Sequence, residues 1–489
     1  MNAYTIIAAE FSLLFLLYFF SGASKSRVSF ALVLYAFAIF AQVSLVQIRL
    51  GPVSIRIYLA LLLALIVVSS PPAQRNVKRI INRHRSLFIA FILFYFWVIF
   101  SDVFSGRMVD SGLVSYFRDF LSNYVAAVLI FVAGIGLMRK KEDLVYVGKS
   151  VIAIAFVSVI FAVGQYLNFS FTTRVYETLY PYELENRILE GTYGRNHVSG
   201  LSQYSIPFIY TLLTCLPLAF SFALLAPKKE GSIRSAFVLG IFFLGAVATV
   251  LARSRSGLLG FGLSFFLITI FAPRIFKGIK TKNYLRIGLA AMFLLLAVFI
   301  VRESSSKSYE TKYQDFTRME QLWDKKRVNF GLATLNESVK HPVLGMGGGE
   351  FTKRYGNVPH NTFLNAMIYF GTPALLFSLF YHFYFFQVAV SDLKNIQLRE
   401  WSWVTIGSFI GLFNFLWNGM THNESFVLGG VYGFIILALY FASRELSHKS
   451  AAQQQGRVLY TQPPFPSASP SGGNRVRQPV RKFRFDLSE

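Results

Sequence analysis

The residues best suited to chemistry lie between His341 and Asn365. A glycine-rich segment, His341 to Glu350, is followed by Pro359-His360-Asn361 at the start of an apolar run from Phe363 to Phe386. Three successive glycines allow positive φ and close approach to a ligand. Pro359 favours a helix start near His360, where free backbone N–H groups favour an anion and a neutral imidazole. A titratable side chain beside an apolar span is typical of a functional site.

Arginines are the second group of residues that could take part in binding or catalysis. They fall in short polar segments: Arg187, Arg195, Arg255, Arg327 and Arg354. A guanidinium stays charged in most surroundings and binds phosphate oxygens with two parallel hydrogen bonds. Each arginine could also reach the membrane interface with its charged end or pair with a loop carboxylate such as Glu190. The sequence alone leaves these alternatives open.

The elements that must position these residues are membrane helices. The chain is 54% hydrophobic and 17% aromatic, and apolar runs recur along most of its length, which predicts an all-α polytopic membrane protein with about 12–14 transmembrane helices. We predict about thirteen spans, near residues 5–20, 28–48, 55–70, 86–101, 121–138, 150–167, 205–226, 235–251, 257–272, 285–301, 362–387, 402–418 and 425–442. The first run lacks a basic leader, so we expect a retained span rather than a cleaved signal peptide. Cys215 is the single cysteine, which excludes an intrachain disulfide.

The net charge of +24 does not indicate nucleic-acid binding here. The distribution of the basic residues instead predicts which loops lie on each side of the membrane. Basic residues cluster in alternate loops, and such loops face the cytoplasm. The alternate loops carry mixed charge and then face outside. They include loops 168–204, 252–256, 302–361 and 419–424 and the loop with Asp102, Arg107, Asp110, Arg118 and Asp119. The N-terminus then lies outside and the C-terminus inside. All the candidate residues named above therefore fall on one predicted face.

The domain prediction is a transmembrane domain at 1–442 and a disordered basic cytoplasmic tail at 443–489, which could bind anionic lipid or dock assembly partners. Within the large extracytoplasmic loop 302–361, apolar residues recur at helical spacing: Val328, Leu332, Leu335 and Val339. We expect an amphipathic helix there, lying on the membrane surface and ending before Pro342. The alternative is a small soluble cap with its own core.

These motifs resemble the O-antigen ligase/polymerase family of bacterial membrane glycosyltransferases. The family signature is an arginine, His-Pro-Leu-Gly-x-Gly, His-Asn-x-x-Leu and a later glycine. It is matched by Arg327, His341 to Gly347, His360 to Leu364, and Gly371. Two further pieces fit the family: Arg187 with Gly191-Thr192-Tyr193, and Ser254-Arg255-Ser256-Gly257.

The resemblance implies a glycosyltransferase in the bacterial plasma (inner) membrane, with its active face periplasmic or extracellular. The donor would be an oligosaccharide linked to undecaprenyl diphosphate. His360 would be the catalytic base with Asn361 orienting it or a sugar hydroxyl, and Arg187, Arg255 and Arg327 would bind the diphosphate, joined by Arg195 and Arg354. Membrane lipids, a chain-length regulator and a flippase of the same pathway would be partners. We expect no cofactor and no metal, since no residue cluster has metal-ligand spacing.

Several alternatives remain open. His341 could cap a helix or act in catalysis, and His422-Asn423 repeats the dipeptide on another outer loop, whereas His84, His382 and His448 look incidental. Tyr369 stands where the family often has glutamate, and Ala374 stands where the ligase branch tends to have Gly, Thr or Tyr; these departures favour a polymerase of repeat units over a ligase that transfers glycan to lipid A-core. A transporter or flippase for the same lipid-linked sugar is the alternative from another class. It would need charged or broken elements near the bilayer midplane, and the sequence has few mid-span charges.

Overall fold

The chain is an all-α polytopic membrane protein. A computed structural model describes residues 30–43, 49–50, 53–110, 112–167, 169–180, 198–202, 205–225, 232–252, 257, 260–262, 264, 267, 325–356, 359, 361–395, 401–421, 426–428 and 430–461. The structure divides into two units, Met1–Leu446 and Ser447–Glu489. Predicted spans 5–20 and 285–301, and most of 257–272, lie outside the described residues.

Most of the predicted apolar runs within the described residues are helical. Their bounds are α1 Phe30–Val43, α2 Ile55–Ser69, α3 Pro71–Arg83, α4 Arg85–Phe104, α5 Arg107–Asp110, α6 Leu113–Phe120, α7 Ala126–Leu137, α8 Lys141–Tyr166, α9 Ser170–Leu179, α10 Ser205–Leu225, α11 Ser232–Leu251, α12 Lys325–Lys340, α13 Gly348–Tyr355, α14 Thr362–Phe370, α15 Thr372–Asn395, α16 Ser402–Thr421 and α17 Val431–Thr461. A two-residue hairpin, β1 Arg49–Leu50 with β2 Val53–Ser54, precedes α2. A π-helical segment, Leu121–Val125, joins α6 to α7, and a 3₁₀ turn, Phe426–Leu428, precedes α17.

Four of the described helical segments are long and apolar enough to cross a membrane: Arg85–Phe104, Leu113–Leu137, Lys141–Tyr166 and Pro207–Leu225. A fifth span is present if α2 and α3 are counted as one broken span, because the two helices meet at a bend of 99°. The bend falls at Ser70, before two prolines that can begin a helix but cannot continue one. Residues 71–83, expected to be a basic loop, are therefore a helix whose buried face is Ala73, Asn76 and Ile80.

Three predicted boundaries are wrong. Helical structure begins at Leu113 rather than 121, and at Lys141 rather than 150. The last helix continues to Thr461, so residues 443–461, expected to be a disordered tail, are helical. Glu445 on this helix is 2% exposed and pairs with Arg79 and Arg83 of α3. Residues 462–489 lie outside the described part of the chain.

The predicted span 362–387 is also two helices rather than one. Gly371 separates α14 from α15 with φ of 76°. A Cβ at this position would collide with the carbonyl oxygen of Val343, which belongs to the glycine-rich segment. The break therefore exists because another part of the chain packs against the backbone there, which a single-sequence pattern does not show.

Helices α10 and α16 make close backbone contact through small residues. Gly407 and Gly411 lie four residues apart on α16, and a Cβ at Gly407 would lie 2.6 Å from the Cα of Leu218. At Gly411 a Cβ would collide with the carbonyl oxygen of Thr214. Small residues at this spacing let membrane helices pack closely, where dispersion rather than hydrophobic burial drives association. The contact fixes α16, whose C-terminal end reaches the candidate site.

Candidate functional site

The glycine-rich segment forms a compact turn between α12 and α13. The His341 N–H donates to Glu337 O (3.0 Å) and the Gly345 N–H donates to His341 O (3.1 Å). Gly345 and Gly347 have positive φ, 69° and 89°, which favours glycine at both positions. We define His341–Gly347 as the histidine turn.

The histidine turn packs on the C-terminal end of α14. The Gly347 N–H donates to Ile368 O (2.8 Å), and the Thr372 N–H donates to Pro342 O (2.8 Å). A Cβ at Gly345 would lie 2.7 Å from Ile368 O. The glycines therefore allow the histidine turn to pack closely against the backbone of α14, whereas the sequence suggested that they allow close approach to a ligand.

Arg107 ties the same helix end to α4. Its guanidinium donates to Tyr369 O, to Leu344 O (3.2 Å) and to Ser101 Oγ. It also pairs with Asp102 through Nε and Oδ1 (2.9 Å). Trp97 Nε1 donates to Phe370 O (2.8 Å), so the last carbonyls of α14, from residues 368 to 370, all accept hydrogen bonds. A cation also suits the negative end of the helix dipole.

Ser101 completes this contact. Its hydroxyl donates to Leu344 O (2.7 Å), while Asp102 accepts a hydrogen bond from the Tyr116 hydroxyl (3.1 Å). We define Ser101, Asp102 and Arg107 as the arginine clamp. The sequence analysis missed it, because its partners are backbone carbonyls far away in sequence. The sequence signal that could have indicated the arginine clamp is the presence of these three polar residues close together at the end of the predicted span 86–101.

Asn361 caps the N-terminus of α14. Its Oδ1 accepts from the N–H groups of Phe363 (2.9 Å) and Leu364 (3.2 Å). Its Nδ2 donates to Met420 O at the end of α16 (2.9 Å). The expected helix start after Pro359 is thus confirmed, and His360 immediately precedes the cap in sequence. The Asn361 side chain itself has a structural role here, since its oxygen binds helix N–H groups and its amide binds α16.

Arg354 is the one predicted diphosphate-binding residue whose side chain is described. It lies on α13, is about half exposed (50%), and pairs with Glu337 of α12 (3.3 Å). Glu337 is 2% exposed and also accepts hydrogen bonds from Lys340 (2.9 Å) and Tyr355 (2.8 Å). Hydrogen bonds from Lys340 and Tyr355, together with the positive charges of Lys340 and Arg354, lower the pKa of Glu337. An anion at Arg354 would therefore compete with an ionised carboxylate.

The other predicted site residues are not brought together by the described structure. Arg187, Arg195, Arg255 and His360 lie outside the described residues, as does His422-Asn423. Arg327 lies in the first turn of α12, where the backbone is described and the side chain is not. Their roles stay predictions.

An open cleft of about 480 Å³ lies beside the histidine turn. It is lined by the turn residues His341 to Met346 and by Ser105, Glu350 and Arg354. His341 is exposed and contributes to this cleft, while its backbone closes the end of α12. The lining is mostly apolar, with one imidazole and one guanidinium among it, and these two groups could bind a phosphate or a hydroxyl group of a ligand.

Helix α12 places its apolar stripe outward. Leu332, Leu335 and Val339 are 55%, 45% and 77% exposed, whereas Thr334, Glu337 and Ser338 on the other side are buried. The helix and its end before Pro342 are confirmed. An exposed apolar stripe above a buried polar face is typical of a helix on a membrane surface, and that location stays a prediction.

Comparison with known proteins supports the family resemblance. Residues 240–379 match the protein-family model described as O-antigen ligase. The matched segment includes Arg255, Arg327, the histidine turn, His360 and Gly371. No curated protein matches the chain.

Proposed function

We propose that this chain, which carries an O-antigen ligase family domain at residues 240–379, polymerises lipid-linked oligosaccharide repeat units at the outer face of the bacterial plasma membrane. The donor would be a glycan on a polyprenyl diphosphate, and the product a cell-surface polysaccharide or O-antigen. The observation that carries the proposal is the family match over the segment that contains the histidine turn and the His360-Asn361 pair.

In the proposed reaction, an acceptor sugar hydroxyl attacks the anomeric carbon of the donor. A new C–O bond forms as the bond between that carbon and the diphosphate oxygen breaks. His360, neutral before reaction, takes the hydroxyl proton, a task suited to an imidazole near neutral pH. The family resemblance implies inversion at the anomeric carbon. The diphosphate leaves with the electron pair.

Arginines would stabilise the charge that grows on the leaving diphosphate. Arg187, Arg255 and Arg327 would bind its oxygens, with Arg195 and Arg354 as further contacts. With the charge held by guanidinium groups, the reaction needs no metal, and EDTA should leave the rate unchanged.

The described contacts hold both ends of α14, the helix that follows His360 in the sequence. Asn361 holds the start of α14 against α16, while the arginine clamp and the histidine turn hold its end. A catalytic group must keep its geometry to act as a base, and support from both ends of a nine-residue helix limits its motion. Asn361 would thus position His360 through the helix start.

The contacts also support a shared face. Arg107, from a loop predicted outside, meets the histidine turn, which belongs to another loop predicted outside. Asn361 meets Met420 near a third such loop. The predicted sidedness is therefore self-consistent at this end of the bundle, which agrees with an extracytoplasmic site.

The test uses purified protein in liposomes with lipid-linked repeat units supplied on the outer side only. The proposal predicts formation of new glycosidic linkages, and a loss of about 100-fold or more on Arg255→Ala. The control is Arg118→Ala: Arg118 is partly exposed, pairs with Asp119 (3.2 Å) and lies on a loop predicted to face the same side, so this variant should keep full activity. A flippase would form no linkage, and full activity of Arg255→Ala would contradict the diphosphate role.

A ligase is the second candidate, because the matched family model is described as O-antigen ligase. Both reactions share donor chemistry and differ in acceptor. Offering either a repeat unit or a lipid A-core acceptor in the same assay separates them. Polymer formation without the lipid A-core acceptor is the result that favours the polymerase.

A further inference from the structure

A buried polar contact joins α16 to the segment that follows Arg255 in the sequence. Asn414 of α16 is 0% exposed, and its side-chain amide donates to Leu213 O of α10 (2.7 Å) and to the Ser264 hydroxyl. Ser264 in turn donates to Gly260 O (2.8 Å). The two amide hydrogens of Asn414 therefore link α16 to two neighbouring segments at once.

Asn418 extends this contact by one helical turn. It lies four residues after Asn414, on the same face of α16, and is also 0% exposed. A Cβ at Gly260 would lie 3.7 Å from its Oδ1. The described positions of segment 257–264 are helical. Because Asn414 meets Ser264 and Asn418 meets Gly260, this segment packs antiparallel to α16 in a defined register, and its start points to the C-terminal end of α16.

The C-terminal end of α16 also holds the start of α14. The Asn361 side chain donates to Met420 O on the last turn of α16 (2.9 Å). In the sequence, His360 immediately precedes Asn361, and Arg255 lies two residues before segment 257–264. Helix α16 therefore contacts both of the segments that follow the residues proposed to carry the reaction.

Asparagine at position 414 is not the best residue for stability alone. Its Oδ1 is enclosed by protein with no hydrogen-bond partner among the described residues. A buried acceptor without a partner destabilises the folded state, and an apolar side chain of similar size avoids that cost. A buried asparagine between helices instead selects one register, because a slide along the helix removes its hydrogen bonds.

The register matters for catalysis because of the distances involved. A slide of one helical turn moves a residue by about 5 Å along the helix axis. A displacement of about 1 Å in a reacting group is enough to slow an enzyme. A contact that prevents such a slide would therefore keep a diphosphate-binding group and a base at a working distance.

We propose that Asn414 is a positioning residue for glycan transfer, which sets the register of segment 257–264 on α16. Asn418 supports the same register by packing against Gly260. Asn414 acts through the position of Arg255 rather than by touching substrate. The inference rests on the proposed function for the role of Arg255, whereas the register can be tested without any assay of transfer.

The first experiment measures the register by cross-linking the full chain in detergent. Cys215→Ser removes the native thiol, and Ser256→Cys is combined with Thr421→Cys. These positions lie four residues before Gly260 and three residues after Asn418, so the register places them side by side. The probe is a bismaleimide with a reach of about 8–10 Å, the spacing of packed helices. We expect this pair to cross-link.

Two further variants make the cross-linking test specific. Asn414→Leu should slow the cross-link at least several-fold. Asn76→Leu is the matched control, because Asn76 is also buried and donates to Ile135 O of another helix (2.6 Å), and it should leave the rate unchanged. If Asn414→Leu cannot be purified, Ser264→Ala decides, since it removes the acceptor on the other segment. Absence of the cross-link, or an unchanged rate in the decisive variant, would overturn the proposal.

The second experiment measures single-turnover glycan transfer in a double-mutant cycle. Asn414→Leu should slow transfer by at least 10-fold, and Asn76→Leu should not. In an Arg255→Ala background, Asn414→Leu should have little further effect, because its consequence passes through Arg255. Equal slowing in both backgrounds would mean a general structural role and would overturn the proposal. Full activity of Arg255→Ala would overturn the role of Asn414 in transfer, while the cross-link still decides the register.

Discussion

At the scale of single residues, polar side chains at the two ends of α14 link this helix to its neighbours. Asn361 joins α14 to α16, and Arg107 joins α4 and α5 to the end of α14. The sequence predicted the helix start at Asn361 because Pro359 and the apolar run signal it locally. It could not predict the contacts of Arg107, because they are made to backbone carbonyls. Every residue type has a backbone carbonyl, so the sequence does not mark which ones accept a hydrogen bond.

Replacing Asn361 tests its capping role. Asn361→Ala loses both the cap and the amide bond to Met420, so we expect the free energy of unfolding to fall by about 1–2 kcal/mol. Asn361→Asp keeps the acceptor for the helix N–H groups and loses only the bond to Met420, so it should cost less. Denaturant unfolding in detergent measures both. Equal stability of the alanine variant and the unaltered protein would contradict the assigned role.

Replacing Arg107 tests the arginine clamp. Arg107→Ala removes the charge partner of Asp102 and the side-chain donor to Tyr369 O, while Leu344 O keeps the Ser101 hydroxyl. Removing one member of a buried ion pair costs about 3–5 kcal/mol. Arg107 is 21% exposed, so we expect about 2–4 kcal/mol after allowance for solvent screening. Arg118→Ala is the matched control, and its exposed pair should contribute less than about 1 kcal/mol. Similar losses for the two variants would count against the clamp.

At the scale of elements, the periodic segments were predictable and the breaks were not. The spacing of Leu332, Leu335 and Val339 predicted α12, and Pro342 predicted its end. The apolar run from residue 362 predicted a single span, yet the histidine turn occupies the space beside Gly371 and divides it. A tertiary contact therefore overrides a uniform apolar pattern. The polar face of α12 is buried for a similar reason, since Glu337 meets α13.

The contact between α12 and α13 should weaken at acidic pH. The pKa of Glu337 is lowered from its ordinary value of 4.5 by hydrogen bonds from Lys340 and Tyr355 and by nearby positive charges. A lowered folded-state pKa means that this carboxylate contributes stability above pH 4.5, and that the contribution is lost as pH falls through the lowered value. The protection of residues 331–356 from hydrogen exchange, expressed relative to the intrinsic exchange rate at each pH, should therefore decrease as pH falls through the lowered pKa of Glu337.

Two variants make this pH test specific. Glu337→Gln should exchange faster than the unaltered protein near neutral pH and lose the acid-dependent step. Glu350→Gln, whose carboxylate is half exposed and lies 3.9 Å from Lys353, is the control and should keep the step. An identical acid step in Glu337→Gln would assign the effect to another group.

At the scale of the whole molecule, composition predicted an all-α polytopic protein, and the described contacts join segments that are predicted to lie on the same side of the membrane. Segments predicted outside contact one another around the histidine turn. Segments predicted inside do the same, since Arg83 pairs with Glu445 and the His84 ring stacks on Phe441 at 4.0 Å. His84 looked incidental in the sequence, but it is 4% exposed and also bonds the Tyr384 hydroxyl. Such contacts join residues far apart in sequence, so composition could not predict them.

The role of His360 as the catalytic base is tested most directly by the single-turnover rate of glycan transfer by His360→Ala, compared with that of His341→Ala. The account predicts that His360→Ala slows transfer by about 100-fold or more while donor binding is kept, since a general base contributes about 10²–10⁴-fold. His341→Ala should retain most of the rate, because its backbone rather than its imidazole closes α12. Full transfer by His360→Ala would contradict the catalytic assignment at the centre of the account.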